Sequence, residues 1–488
     1  MPYNGQVNFA GNEVKMKFTE YIRLNNPSEN IIIIPQLENQ PDIEAKNKKL
    51  TITFNEELEE NTTYTITFNG AIQDITEKND SVFQFVFSTG DYIDSLSVTG
   101  QVKDAFTNKP LKEILIGLYP KTLEANFDSI PLKYKPTYLG QSDQAGTFQL
   151  NYLKSGVYYL FAIEDRNRNL LYDKGEGFAL LAEKEFKLGP DETPDFDLRS
   201  FKETSKEIYL EDLNFTFPGR VEVILSNPTD SFSISSNLPL LQEETGQRDS
   251  LIFWLEKSPV PKMKFYVELK GEKDTIRPVY KKIPDDIETV KLTQKNNIKK
   301  GKLLPQENLQ FTFSEPLLDI DLNAVHFYDL DSQEVKIDSF QMNLRTLEFN
   351  TAGSDAHRIV IDSAALVSFY GRVLDKELSF TFENEPADYY GSLIVTMDTT
   401  FSMPVIVHLL DNNGDAIDTV DFNQKMIFSE LIPGNYQLRL IFDVDKNGEW
   451  TTGSLADGRE PEKVIYNKET IKVKSKWEKE FDWVLTPK

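Results

Sequence analysis

The residues best placed to do chemistry in this chain form one acidic run. Asp443, Asp445, Asn447 and Glu449 alternate, and Gly448 follows Asn447. Oxygen-bearing side chains at every second position suit a hard cation such as calcium. An EF-hand loop needs oxygen ligands at positions 1, 3 and 5, Gly at 6 and a bidentate Glu at 12. Counted from Asp443, position 12 is Ser454, and both flanks have strand character, so the run is not an EF-hand. A β-hairpin calcium loop is the alternative, with Asp443, Asp445, Asn447, the Glu449 carbonyl and Asp457 as ligands. The competing reading needs no metal: Asp and Asn side chains bond their own backbone and stabilise tight turns. Both readings stand at this stage.

A second run offers Asp165, Asn167, Asn169 and Asp173. It lacks the glycine and carries Arg166 and Arg168, so weaker cation binding is expected there. Tyr172 and Trp450 occupy matching positions and are expected to pack each hairpin against its sandwich.

Other reactive constellations are absent. The three histidines, His326, His357 and His408, have no metal-ligand spacing. His408 alternates out of the Val405, Val407, Leu409 face, which predicts a surface position. There is no G-x-S-x-G, no phosphate-cradling glycine loop and no H-E-x-x-H. Among 78 acidic residues, a pair at glycosidase separation, roughly 5–10 Å, would arise by chance, and no pair stands out. Trp254, Trp477 and Trp483 could stack on sugars, but Trp254 and Trp483 sit in apolar alternation and read as core. No catalytic residue and no cofactor-binding residue is assigned, and the chain is not expected to be an enzyme.

The acidic runs belong to a larger duplication. Gly434–Gly453 repeats Gly156–Gly175 at a single offset of 278: a glycine, a tyrosine two later, a leucine four later and an aspartate nine later recur. Each copy reads as a strand entering an acidic turn. Residues 1–92 alternate as half-buried strands do, at Val14, Met16, Phe18, then Leu50, Ile52, Phe54, then Tyr64, Ile66, Phe68, then Phe83, Phe85, Phe87. Asn4-Gly5 and Asn69-Gly70 read as turns. Residues 298–385 repeat this pattern at offset 295, with Phe313-Ser314-Glu315 answering Phe18-Thr19-Glu20. Residues 201–297 alternate too, at Val221, Val223, Leu225 and at Met263, Phe265, Val267, Leu269. Five β-sandwiches are expected, at 1–92, 93–200, 201–297, 298–385 and 386–488. The short linkers near 90–94, 195–206, 296–304 and 384–388 predict a semi-rigid rod.

Composition agrees with an all-β chain. It is 39% hydrophobic, with 33 Phe and 20 Tyr, too much core material for disorder. The net charge of −25 repels phosphate backbones, so nucleic acid is not an expected partner. The lack of cysteine excludes disulfides, thiolate metal sites and a cysteine nucleophile. No run of about 18 apolar residues is present to cross a bilayer as a helix, and the N-terminal sequence shows no signal peptide.

Two resemblances accompany these patterns. Pro2, Asn4, Gly5, Phe18, Thr19 and Glu20, the Asn61-Thr62-Thr63-Tyr64 stretch and the closing FQFVFSTG are similar to bacterial Ig-like domains of the S-layer type. Gly100, Val102, Asp104, Pro110, Asp143, Gly146, Phe148, Leu153, Gly156 and Tyr158 resemble transthyretin-like, or carboxypeptidase-regulatory-like, sandwiches. The domain order resembles Ig-like-domain proteins of Bacteroidetes envelopes, often lipoproteins. The resemblance implies an outer-membrane-associated envelope protein. A first strand usual in that family would precede Pro2, and membrane contact would come only through a lipid anchor outside this chain. The expected role is a non-catalytic scaffold or binding module whose partners are envelope proteins or surface glycans. A carbohydrate-binding accessory protein of glycan uptake, and a hydrolase or its regulatory module, are the alternatives.

Overall fold

The computed structural model describes residues 3–75, 80–123, 125–204, 208–216, 219–227, 229, 232–236, 239–243, 250–255, 264–269, 272–276, 291–337 and 339–485. Met263, and parts of the turns read at 227–230 and 270–274, lie outside them. The chain is a tandem array of β-sandwiches, and the helices among the described residues are single turns such as Pro27–Asn30 and Ile130–Lys133. The described sheets fall within residues 13–88, 96–200, 210–276, 294–384 and 391–482, and no sheet crosses between these groups.

Period-2 alternation built these sheets. In the first sandwich Val14 pairs with Ile52 across strands Glu13–Lys17 and Lys49–Thr53, and both are fully buried. They join Leu50, Phe54, Ile66, Phe68 and Phe87 in one apolar cluster. The repeat at 294–384 keeps the inward set, with Leu309, Phe311, Leu347 and Phe349 buried. Its register differs by two, because Leu309 pairs with Phe349 where offset 295 places Leu347. An even slip leaves every inward residue inward, so the core tolerates it.

The sandwiches at 96–200 and 391–482 share an unusual pairing. Strand Leu96–Asp104 lies between antiparallel Thr147–Leu153 and parallel Asp195–Ser200. Strand Gly391–Thr396 lies between antiparallel Lys425–Leu431 and parallel Glu478–Asp482. The duplication therefore extends to topology.

Three local expectations need correction. Residues 195–200 are a strand and not a linker. Leu198 is buried and Phe196 half-buried while Asp195 and Asp197 face solvent, the alternation of a half-buried strand. Asn69-Gly70 is not a hairpin turn but lies inside strand Thr63–Asp74, where Gly70 (φ 69°) sits in a register shift between Asn69 and Ile72, as a bulge requires. The third concerns shape: the sandwiches do not form a rod. Asn108 Nδ2 donates to the Val464 carbonyl (2.8 Å), Tyr466 Oη to the Phe106 carbonyl (3.0 Å), and Arg199 pairs with Glu460 (2.6 Å). The last sandwich thus folds back onto the second. Arg345 pairs with Glu243 (2.7 Å) and Tyr370 Oη donates to the Leu255 carbonyl (2.7 Å), joining the third and fourth. Short linkers permit sharp reversals as well as straight runs, and these side chains decide between them.

Candidate functional site

Strand Gly434–Phe442 delivers its chain directly into the acidic loop. Asp443 is buried because its carboxylate is the hub of the turn. Its Oδ1 accepts from Asn447 N (3.0 Å) and its Oδ2 from Gly448 N (3.1 Å). Asp445 Oδ1 accepts from Asn447 N (3.2 Å), and its Oδ2 accepts from Thr451 Oγ1 (2.7 Å). Asn447 Oδ1 accepts from Glu449 N (2.7 Å). Gly448 has φ 81°, which glycine adopts without strain. The buried Glu462 closes the loop: its Oε1 accepts from Val444 N (2.6 Å) and its Oε2 from Thr451 N (2.9 Å).

Of the five residues read as ligands, Asp443 and Asp445 come together, and the partner that joins them is Glu462. One oxygen from each of these three lies within 4.8 Å of the others. Asp457 is exposed and falls outside this group of side chains, the Glu449 ligand was read as a backbone carbonyl and so is not among these carboxylates, and Asn447 spends its side-chain carbonyl on the turn itself. Sequence reading missed Glu462 because it lies beyond a ten-residue excursion and matches no ligand spacing.

The earlier loop has the same skeleton. Asp165 accepts from Asn169 N (3.1 Å) and Leu170 N (2.9 Å). Leu170 takes φ 64° at the position of Gly448, a conformation that strains a residue with a Cβ. Asn167 and Asn169 both donate their side-chain amides to Asp173 Oδ2 (2.7 and 2.9 Å). Neutral amides and one carboxylate thus satisfy each other where the later loop gathers three carboxylates.

The two aromatics diverge in role. Tyr172 is buried in its own sandwich, its ring tilted against Phe178 at 4.6 Å between centroids. Trp450 is half-buried between sandwiches, 5.0 Å from the ring of Phe106, with its indole N–H on the Glu462 carbonyl (3.0 Å). Around it lies a clasp. Arg439, buried, sits 4.3 Å over the Phe106 ring and donates to His408 Nδ1 (2.8 Å). His408 is half-buried, not on the surface; burial, and then the Arg439 charge, push its pKa down. Gly453 lies against Phe201, so close that a Cβ would meet the ring at 2.4 Å. Leu455 enters the core of the second sandwich, and its N–H binds Glu203 (2.6 Å). The acidic loop and its excursion are therefore the docking element of the last sandwich.

The remaining candidates resolve simply. Trp254 and Trp483 are core residues and Trp477 is exposed. His326 pairs with Glu334 (2.9 Å). Among the described residues, the one group of three or more metal-competent side chains is that of Asp443, Asp445 and Glu462.

Residues 1–89 match the bacterial Ig-like domain family. No curated protein matches the chain. Among solved structures, the major pilin subunit BcpA of Bacillus cereus is similar at 11% identity, covering 80% of this chain and 99% of that one, with a TM-score of 0.16. The TIE protein of Bacillus anthracis aligns at 10% identity over 100% of this chain and 74% of that one (TM-score 0.16). The S-layer protein SbsC aligns at 12% identity over 90% and 64% (TM-score 0.15).

Proposed function

We propose that the chain is a non-catalytic scaffold of the bacterial cell envelope, which holds its sandwiches in a fixed arrangement and presents the surfaces between them to other envelope components. The observation that carries this reading is the clasp. The loops of duplicated sandwiches are where binding and catalytic residues usually lie, and here Trp450, Gly453, Leu455 and Glu460 are used to dock one sandwich on another. The Ig-like match of residues 1–89 supports the same reading. Membrane attachment through a lipid anchor outside this chain, transthyretin-like ancestry of the second and fifth sandwiches, and Bacteroidetes origin belong to the proposal. So does calcium at Asp443, Asp445 and Glu462, whose all-oxygen donor set suits a hard cation.

Fractionation of the native host with antibody detection, followed by cross-linking in intact cells, tests the proposal. The expected result is recovery with the envelope and a cross-linked envelope partner. Recovery in the cytosolic fraction would overturn it.

A further inference from the structure

We infer that the cleft between the first and second sandwiches binds an uncharged extended peptide by strand addition. The cleft has a volume of about 2520 Å³ and reaches from the first sandwich to Trp450 of the last. It is bordered by two strand edges. Strand Ile31–Ile34 pairs with Thr63–Asp74 on one side, and strand Tyr138–Gln141 pairs with Leu115–Pro120 on one side. The two edges touch at one bond, Gln36 N to the Thr137 carbonyl (3.1 Å).

Both edges have unused backbone groups. Val86 donates its N–H to Asn4 Oδ1 and its carbonyl accepts from Gly5 N, so Val86 faces away from its partner Thr65. Antiparallel pairing alternates, so Thr65 bonds Ile34, and Ile33 points its N–H and C=O out of the sheet. Likewise Ser142 N bonds the Ile114 carbonyl, which puts Gly140 and Tyr138 on the paired side and turns Leu139 and Gln141 outward. None of these outward groups has a backbone partner among the described residues.

Proteins blunt open edges with charged side chains. Strands Glu13–Lys17, Asp42–Lys46, Phe178–Leu188 and Asp195–Ser200 do so. In the first two sandwiches the edge strands with no charge are Ile31–Ile34, Tyr138–Gln141 and Thr147–Leu153, and all three line this cleft. The lining is electrically balanced, with five cationic and five acidic side chains, in a chain of net charge −25. Ten side-chain carboxamides, Gln84, Gln141 and Asn151 among them, complete it. Such amides bond a peptide backbone on either of its faces. An uncharged peptide loses nothing to this surface, and open edges at strand spacing select backbone over sugar hydroxyls. This deepens the scaffold reading by naming a partner's chemistry, and it can fail while the fractionation above succeeds.

The test uses the full chain, immobilised and exposed to a randomised pool of capped, uncharged heptapeptides. Retained peptides are expected to slow hydrogen exchange at Ile33, Leu139 and Gln141. Gln141→Pro removes an outward N–H that the sheet does not use, and it should weaken binding at least tenfold. Gln141→Ala, which keeps that N–H and loses the carboxamide with its bond to the Glu113 carbonyl, should weaken binding less than the proline variant does. Methylating alternate amides of the peptide should abolish binding, which keeps the test decisive if the proline variant misfolds. Retention of no peptide, retention of neutral oligosaccharides only, or equal binding by Gln141→Pro and the methylated peptide would each overturn the inference.

Discussion

Glu176 and Glu462 make the same two hydrogen bonds from different places in the sequence. Glu176 accepts from Arg166 N (2.9 Å) and Asp173 N (3.1 Å); Glu462 accepts from Val444 N (2.6 Å) and Thr451 N (2.9 Å). The four amides correspond at offset 278, yet the glutamates stand 286 apart. Both are buried. The excursion at 452–461 that displaced Glu462 carries the contacts that dock on the second sandwich. The later copy thus carries a docking element that the earlier one lacks, and both have the carboxylate that closes the loop.

Replacing either glutamate should therefore destabilise its own sandwich whether or not a cation is present. Removing the carboxylate leaves two N–H groups without their acceptor, at about 1–3 kcal/mol each when buried. Glu462→Ala and Glu176→Ala should each lower stability by about 2–4 kcal/mol in urea denaturation, and the Gln variants, which keep one acceptor oxygen, by about half as much. A loss under 0.5 kcal/mol in the Ala variants would show that the loops do not depend on this closure.

The fold was legible where local pattern alone decides it. Val14, Ile52 and Phe68 alternate, and they are buried as read. The aspartate hub of each loop was legible because Asp443 and Asp165 bond amides only four and five residues away. Glu462 was not legible, since its partners are 11 to 18 residues off across a variable segment. Nor was the clasp: Asn108 and Val464 are 356 residues apart, and no periodicity in either segment refers to the other. Linker length bounds how far sandwiches can separate but leaves their orientation free.

The clasp should open when its close contacts are disrupted. Gly453→Val places a side chain where the Phe201 ring lies. Arg439→Ala removes a desolvated cation–aromatic contact worth about 1–2 kcal/mol. The double variant should show a larger radius of gyration by small-angle X-ray scattering and faster proteolysis near residues 384–390, with strand content by circular dichroism retained. An unchanged radius of gyration would refute the docked arrangement.

Tyr119 predicts an effect of opposite sign. Its hydroxyl is fully buried with no hydrogen-bond partner among the described residues, and burial, with the charge of Asp165, drives the phenol pKa up. A buried hydroxyl left unbonded is a desolvation loss of about 1–3 kcal/mol, while the ring packs against Phe161 at 5.5 Å. Tyr119→Phe should keep the packing and raise stability by about 1 kcal/mol. Thermal melting that falls instead would mean that the hydroxyl is satisfied in solution.

His408 should make the clasp acid-sensitive. Burial and the facing Arg439 guanidinium hold its pKa below the ordinary 6.5, so the folded state keeps it neutral. Thr419 and Tyr466 are the other polar groups brought near by the neighbouring strands. Below pH 6.5 the unfolded chain takes up a proton that the folded chain resists. The stability from this residue is therefore complete above about pH 6.5 and declines as pH falls toward the depressed folded value. Melting temperature should drop between pH 7 and pH 5 more in wild type than in His408→Gln. Parallel profiles would remove His408 from the account.

Calcium should distinguish the two acidic loops. In the later loop an oxygen from each of three carboxylates converges within 4.8 Å, and like charges this close repel. A divalent cation would relieve that repulsion. In the earlier loop Asn167 stands where Asp445 does and donates to Asp173, so the same repulsion never builds up. With a dissociation constant in the 10⁻⁴–10⁻³ M range of extracellular calcium modules, 2 mM calcium should stabilise the last sandwich by about 1 kcal/mol. That corresponds to a rise of roughly 5 °C in its melting transition, reversed by chelator. Asp445→Asn should abolish the response because it recreates the neutral arrangement of the earlier loop. Glu449→Gln and Asp457→Asn should leave it intact, since neither belongs to the converging group. A response that survives Asp445→Asn, or that is lost with Glu449→Gln, would place the ion elsewhere. No response in wild type would leave the loop as an Asx turn closed by Glu462.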